Sequence, residues 1–275
     1  MVESKATQEG DGVNRPIQYA AFRTDKEPEP GYSAELISNR VEPQYYDDLD
    51  ARPRPKEDVK TMLDLFQKNV DEAKDDPFLG TREKLADGRY GKYVWQSYGE
   101  VDVNKRNLAR GLMSLELCPS QEDGFRFCGI WAKNRWEWTT TLLGCMHYKI
   151  TTVGFYDAMG TSAVEFILNQ TQMTTIVCSG FYVSKIVQMK ADGMAQHITA
   201  LVSLDEVEND VLTKAEELEI RVHTFAAVMQ AGESAASSAP PFEESDKDDF
   251  YMFSYTSGTT GDSKGVMLTH NNILS

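Results

Sequence analysis

The sequence predicts an α/β fold in which parallel or mixed sheets are covered by crossover helices. Three observations predict it. From about residue 90 onward, short apolar runs of strand length alternate with longer stretches of helical spacing. Two Ser-x-x-Glu sequences, Ser97 to Glu100 and Ser162 to Glu165, read as capping boxes that open helices. The 275 residues are 41% hydrophobic and 10% aromatic, which suffices for one large core or two smaller ones.

The elements follow in order. Residues 1–57 are punctuated by Pro28, Pro30, Pro43, Pro53 and Pro55, so a mostly irregular leader is expected there, and residues 58–275 form the domain proper. A helix begins near Glu57, because Val59, Met62, Leu63, Leu65, Phe66 and Val70 make one apolar face. Tyr90 to Gln96 alternates as a strand, and the helix opened at Ser97 carries Val101, Leu108, Leu112 and Leu115. Then come a strand from Phe125 to Ala132, a helix from Trp136 to Met146 and a strand from Ile150 to Tyr156. The helix opened at Ser162 carries Phe166 and Ile167. Strands over 174–179, 198–204 and 220–225 are separated by a helix over 182–191 and followed by a short helical stretch over 226–230. Gly232 to Asp249 is small, polar and proline-containing, and reads as a solvated connection. Asp249 to Tyr255 is a buried strand, Val266 to Thr269 a second, and His270-Asn271-Asn272 opens a last helix. Ligands of such sheets sit beyond the carboxyl ends of the strands.

The formal charge of −15 argues against sequence-general nucleic-acid binding, since such a surface repels phosphodiester backbones. A nucleotide remains admissible, because one loop of oriented amides and a lysine can bind a triphosphate inside an acidic protein. Cys118, Cys128, Cys145 and Cys178 make no C-x-x-C pair, and reduced, buried thiols are expected. Met1 to Gly12 lacks the apolar segment of a secretory signal. No run approaches the roughly 20 apolar residues of a membrane span.

The chemistry concentrates in Thr256-Ser257-Gly258-Thr259-Thr260-Gly261-Asp262-Ser263-Lys264-Gly265. Gly258, Gly261 and Gly265 free the backbone to turn several N–H groups onto one anion. The hydroxyls of Thr256, Ser257, Thr259 and Thr260 add donors, and Lys264 adds a charge suited to pyrophosphate. A Walker loop is excluded, because Lys264 precedes a glycine and a strand-like segment rather than a helix. The formal G-x-S-x-G match at Gly261–Gly265 is excluded too: no acid follows Ser263, and His270 is too near to fold back as its base. A plain hairpin turn needs two to five residues, whereas this composition runs for ten.

Tyr255 to Gly265 closely resembles the phosphate-binding signature of the adenylate-forming superfamily, which includes acyl-CoA synthetases, luciferases and peptide-synthetase adenylation domains. Asn134-Arg135-Trp136-Glu137-Trp138, Tyr156-Asp157-Ala158-Met159-Gly160, Leu79-Gly80-Thr81-Arg82 and Tyr93 to Tyr98 are similar to stretches of long-chain fatty acid–CoA ligases. Trp136 and Ser263 stand where that family usually has prolines; neither change removes a phosphate donor. The resemblance implies the N-terminal part of that enzyme fold, ending after the phosphate loop and lacking the acyl tunnel, the ribose-binding Asp and the C-terminal domain with its catalytic lysine.

It further implies ATP-dependent conversion of a long-chain fatty acid to acyl-adenylate and then acyl-CoA, with ATP, Mg²⁺ and CoA as cofactor and co-substrates. Thr256, Ser257, Gly258, Thr259, Thr260, Gly261, Lys264 and Gly265 would hold the nucleotide phosphates, Lys264 would act in catalysis, and Thr256 would approach the metal. The expected setting is cytoplasmic, with peripheral association at the cytosolic face of the endoplasmic reticulum or peroxisome membrane left open. Two alternatives stay open: another adenylate-forming acid–thiol ligase, and a non-catalytic truncated nucleotide-binding protein. These 275 residues alone are expected to be a poor ligase and, with a sheet cut partway, marginally stable. His147, His197 and His223 are expected to be structural, and His270 is explained as well by helix-start packing as by the nucleotide. Trp131, Trp136 and Trp138 are expected to anchor the core.

Overall fold

A computed structural model describes residues 20–22, 25–26, 30, 36–38, 43–47, 59–256 and 263–274. The chain divides into two compact units between Glu57 and Asp58. The first, expected to be mostly irregular, carries a short ladder: β1 (Ala20–Phe22) pairs antiparallel with β2 (Leu36–Ser38), and a 3₁₀ turn follows at Pro43–Tyr45.

The second unit opens with α1 (Met62–Ala73), which starts five residues after the expected Glu57. Thr61 fixes the start: its hydroxyl accepts from the Asp64 amide at 3.0 Å, and the Asp64 carboxylate accepts from the Thr61 amide at 2.8 Å. Val59 is buried ahead of the helix, and Phe66 and Val70 are buried within it. An antiparallel hairpin follows, β3 (Pro77–Lys84) against β4 (Tyr90–Ser97), of which sequence periodicity gave only the second strand. The capping box at Ser97 and Glu100 is formed, and it opens α2 (Tyr98–Ser114), whose Val101, Leu108 and Leu112 are fully buried.

The main sheet comprises β5 (Arg126–Trp131), β6 (Ile150–Phe155), β7 (Thr175–Cys178), β8 (Ala200–Ser203), β9 (Arg221–Thr224), β10 (Phe250–Thr256) and β11 (Lys264–Thr269). Its order is β11-β10-β6-β5-β7-β8-β9, parallel except for the β10–β11 pair. The expected mixed, mostly parallel sheet is therefore present. Intervening helices are α3 (Trp136–Cys145), α4 (Thr161–Thr171), α5 (Gly180–Ala191), α6 (Asn209–Glu217) and α7 (Phe225–Ser234), with α8 (His270–Leu274) after the last strand. One core cluster joins Val164, Ile167, Val183 and Ile186 of α4 and α5 to Trp131, Phe155 and Phe253 of the sheet. A second joins Leu108, Leu112 and Val228 of α2 and α7 to Cys128, Val177 and Val202. Helices thus cover both faces, which is what near-continuous apolar strands require.

Four expectations need correction. Ser162 does not cap α4: the helix begins at Thr161, two residues earlier than a Ser162 cap implies, Gly160 holds the cap position, and no side chain caps it. The amphipathic α6 was not anticipated. Residues 232–249 are not a free solvated connection. Gly232 lies inside α7, where a Cβ would stand 1.7 Å from the Asn107 carbonyl oxygen of α2. Beyond α7, Phe242 stacks on His147 at 4.0 Å, Tyr148 donates to the Pro240 carbonyl at 2.7 Å, and Glu243 pairs with Arg126 at 2.7 Å. Finally, β11 begins at Lys264 rather than Val266, so Thr256, Lys264 and Gly265 are ladder residues.

All four cysteines are buried and unpaired, as their sequence spacing predicts. Among the described residues no helix is long and apolar enough to cross a membrane.

Candidate functional site

β10 runs parallel to β6, with Phe253 opposite Val153, so its last residue, Thr256, reaches the same carboxyl edge as the segment after Phe155. β11 returns antiparallel with Thr256 opposite Lys264 and Tyr255 opposite Gly265. Thr256 and Lys264 form the rung that closes the loop, and both are exposed. Backbones of directly opposed antiparallel residues lie about 5 Å apart, so a hydroxyl and an ammonium flank one mouth. Ser257, Gly258, Thr259, Thr260 and Gly261, expected to line the phosphates, lie outside the described residues.

The rung is held from behind. Tyr255 is buried and donates its hydroxyl to Gln170 Oε1 of α4 at 2.8 Å; burial raises its pKa above the ordinary tyrosine value. Its ring lies over Gly265, where a Cβ would come within 3.1 Å of the ring atoms. Gly265 has no left-handed φ, so its lack of a side chain serves cross-strand packing rather than the backbone freedom expected of it. Nothing in the sequence around Gln170 signalled this lock.

Of the other segments singled out in the sequence, residues 134–138 and 156–160 follow β5 and β6 at that edge, whereas residues 79–82 and 93–97 lie in the separate β3–β4 hairpin. Sheet order reverses at β5, which has β6 on one side and β7 on the other, and such a switch point is where open α/β sheets usually bind ligands. Here side chains of neighbouring segments bridge across the edge. Arg135 bonds both oxygens of Glu137 at 2.7 and 2.8 Å, Asp205 at 2.8 Å and the Leu204 carbonyl at 3.0 Å. The Glu137 and Asp205 carboxylates hold the guanidinium pKa above its ordinary value. Burial works against the Asp205 charge, yet Arg135 and the Gly180 amide keep its pKa below the usual carboxylate value. Asp157 accepts from Tyr182 at 2.6 Å; burial first, then this bond, pushes the phenol up to about 12. Trp131 is fully buried and stacks on Tyr182 at 4.2 Å, while Trp136 and Trp138 pack against the core clusters, as expected of anchors.

His270 is settled as a packing residue. Its Nδ1 accepts from the Met62 amide at 3.2 Å, its ring meets Tyr251 edge-on, and burial holds its pKa down. His147 is buried against Lys105, with Nε2 2.9 Å from the ammonium. Among the described residues no group of three or more His, Cys, Asp or Glu is placed to hold a metal. The exposed Thr256 hydroxyl can supply one oxygen ligand to a hard cation that arrives with phosphates and water.

Helices on both faces of a mostly parallel sheet define an α/β protein, and a hydroxyl- and glycine-rich sequence joins β10 to β11 at the carboxyl edge. That sequence lies between two strands, not between a strand and a helix. The chain belongs to the AMP-binding enzyme family, whose description matches residues 66–275. It is 30% identical to long chain acyl-CoA synthetase 3 of Arabidopsis thaliana, over 82% of this chain and 32% of that protein. It is 32% identical to fatty acyl-CoA synthetase A of Dictyostelium discoideum, over 78% of this chain and 30% of that protein. The chain thus spans about a third of the length of the curated relatives it matches. The adenylation domain of a carboxylate reductase from Mycobacterium chelonae shares the fold, with a TM-score of 0.66 at 18% identity over 80% of this chain and 36% of that one.

Proposed function

We propose that residues 58–275 are the N-terminal portion of an enzyme that activates a long-chain fatty acid with ATP and passes the acyl group to CoA. The Thr256–Lys264 rung at the carboxyl edge of the sheet carries the reading, and the printed names of the curated relatives support the choice of acid. A fatty carboxylate oxygen attacks the α-phosphorus of ATP, the bond to the β-phosphate oxygen breaks, and pyrophosphate leaves. The CoA thiol, losing its proton, then attacks the acyl carbon, and AMP leaves. Lys264 and the loop of residues 256–265 hold the β- and γ-phosphates and stabilise charge gathering on pyrophosphate. Mg²⁺, held by those phosphates and Thr256, supplies charge neutralisation when bound. Four buried, unpaired thiols favour a reducing, cytoplasmic setting.

Exchange of labelled pyrophosphate into ATP tests the first half-reaction, using the complete polypeptide that carries these residues. Palmitate should drive exchange, and Lys264→Ala should lower its kcat about 100-fold or more without moving the thermal transition. Residues 1–275 alone should exchange little. Absence of exchange with palmitate, oleate and shorter acids would overturn the reading.

A further inference from the structure

A lysine ammonium rides on a flexible four-carbon stem, so the strand that carries Lys264 decides where its charge can reach. β11 is fixed at its far end, where the His270 amide donates to the Asp249 carbonyl at 3.1 Å and Nδ1 accepts from the Met62 amide at 3.2 Å. Lys264 begins the strand, at the opposite end.

Tyr255 ties that end to the body of the domain. It touches both rails of the ladder: Thr256 follows it on β10, and a Cβ on Gly265 of β11 would stand 3.1 Å from its Cζ and 3.3 Å from its hydroxyl oxygen. The same hydroxyl donates to Gln170 Oε1 at 2.8 Å. Gln170 belongs to a fixed segment. Fully buried Val164, Ile167 and Leu168 hold α4 in the core. The last turn of α4 is tied to the loop before β5 by Gln121, whose Nε2 donates to the Thr171 and Gln172 carbonyls at 2.9 and 3.1 Å.

Strand geometry keeps this tie apart from the chemistry. Successive side chains point to opposite faces, and directly paired residues share one. Tyr255 and Gly265 therefore share the face that meets α4, while Thr256 and Lys264 share the other. Tyr255 can orient the rung without reaching what the rung binds.

We propose that Gln170 and Tyr255 are positioning residues for the activation step: their hydrogen bond seats the phenol ring against Gly265 and so fixes Lys264 relative to Thr256. The assignment rests on the reading of Lys264 as the group that holds the leaving pyrophosphate. Released from Gln170, the ring can tilt off Gly265 and the rung can turn with it. Misplacement by about 1 Å costs a reacting site about 100-fold, and loss of one tie that leaves the ladder intact should cost about tenfold.

Labelled pyrophosphate exchange by the complete polypeptide, with palmitate, tests it. Tyr255→Phe and Gln170→Leu should each lower kcat about tenfold, leave the KM for palmitate unchanged, and lower Tm by no more than about 4 °C. The double variant should be no slower than either single, because both remove one bond. In a Lys264→Ala background, Tyr255→Phe should cost nothing further, since it acts through that lysine. Wild-type kcat in both single variants would overturn the proposal and leave the catalytic reading standing. A further tenfold loss in the Lys264→Ala background, or a loss of kcat matched by unfolding at the assay temperature, would overturn it too. Absence of exchange in the wild type would remove the catalytic reading, and this proposal with it.

Discussion

Replacing Gly232 with Ala probes the closest helix contact in the molecule's described residues. A Cβ there would stand 1.7 Å from the Asn107 carbonyl oxygen and 2.5 Å from the Gly111 amide nitrogen, while one at Gly111 would stand 1.9 Å from the Val228 carbonyl oxygen. The obstacles are backbone atoms, so no rotamer change relieves them. Ordinary contact begins near 3.4 Å, and α2 and α7 must therefore separate by roughly 1.5 Å. Leu108, Leu112 and Val228, fully buried between them, lose packing on one side. A gap of about 1 Å already forfeits up to half of each dispersion contact. Overpacking of this kind costs about 3 kcal/mol, offset by about 1 kcal/mol from the better helix propensity of Ala. The net loss of about 2 kcal/mol lowers Tm by roughly 4–8 °C for a unit of this size. Far-UV circular dichroism melts should show it. Gly154→Ala, whose Cβ would meet only Met252 at 3.9 Å, should leave Tm nearly unchanged. Because Gly111→Ala forces the same separation, the double variant should lose less than the sum of the singles. A Gly232→Ala protein as stable as the wild type would refute the close approach.

Two further outcomes are expected. Burial first, then the neighbouring Lys105 ammonium, holds the His147 pKa near 3 against an ordinary 6.5. The unfolded chain then takes up this proton below 6.5 and the folded one only near 3, so stability is full above 6.5 and falls as pH drops toward 3. His147→Gln, which keeps an acceptor for Lys105, should flatten that decline in urea titrations; an unchanged slope would assign the acid loss elsewhere. Thr61→Ala removes the cap of α1 and should destabilise by about 1 kcal/mol, with Asp64→Ala costing little more on top, since the two caps are reciprocal.

Much of the fold was legible because the apolar periods and the Ser97 box are local signals. β5, β6, β7 and β8 were each located to within two residues by runs whose side chains are buried on both faces. What escaped depends on contacts remote in sequence. Gly232 looks like the start of a linker until α2 is known to lie against it, and Gly111 carries no mark of its partner. Residues 240–245 look solvated by composition, yet their bonds go to Tyr148, Arg126, His147 and Met146. Ser162 satisfied a pattern that Gly160 fulfils by position alone. At the candidate site the residue types were legible, and the rung was not. No local signal tells that Lys264 is already paired in a strand, or that Gly265 is small because Tyr255 lies over it.

The Thr256–Lys264 rung also bears on which sequence changes descendants of this gene can accept. Side chains in a strand alternate between faces, so one residue added or deleted within β11 would carry Lys264 to the opposite side of the sheet. A length change between residues 257 and 262 leaves both rails of the ladder in register and the lysine in place. The rails are therefore expected to keep their count, and a length change between them would alter the loop without turning Lys264 to the other face.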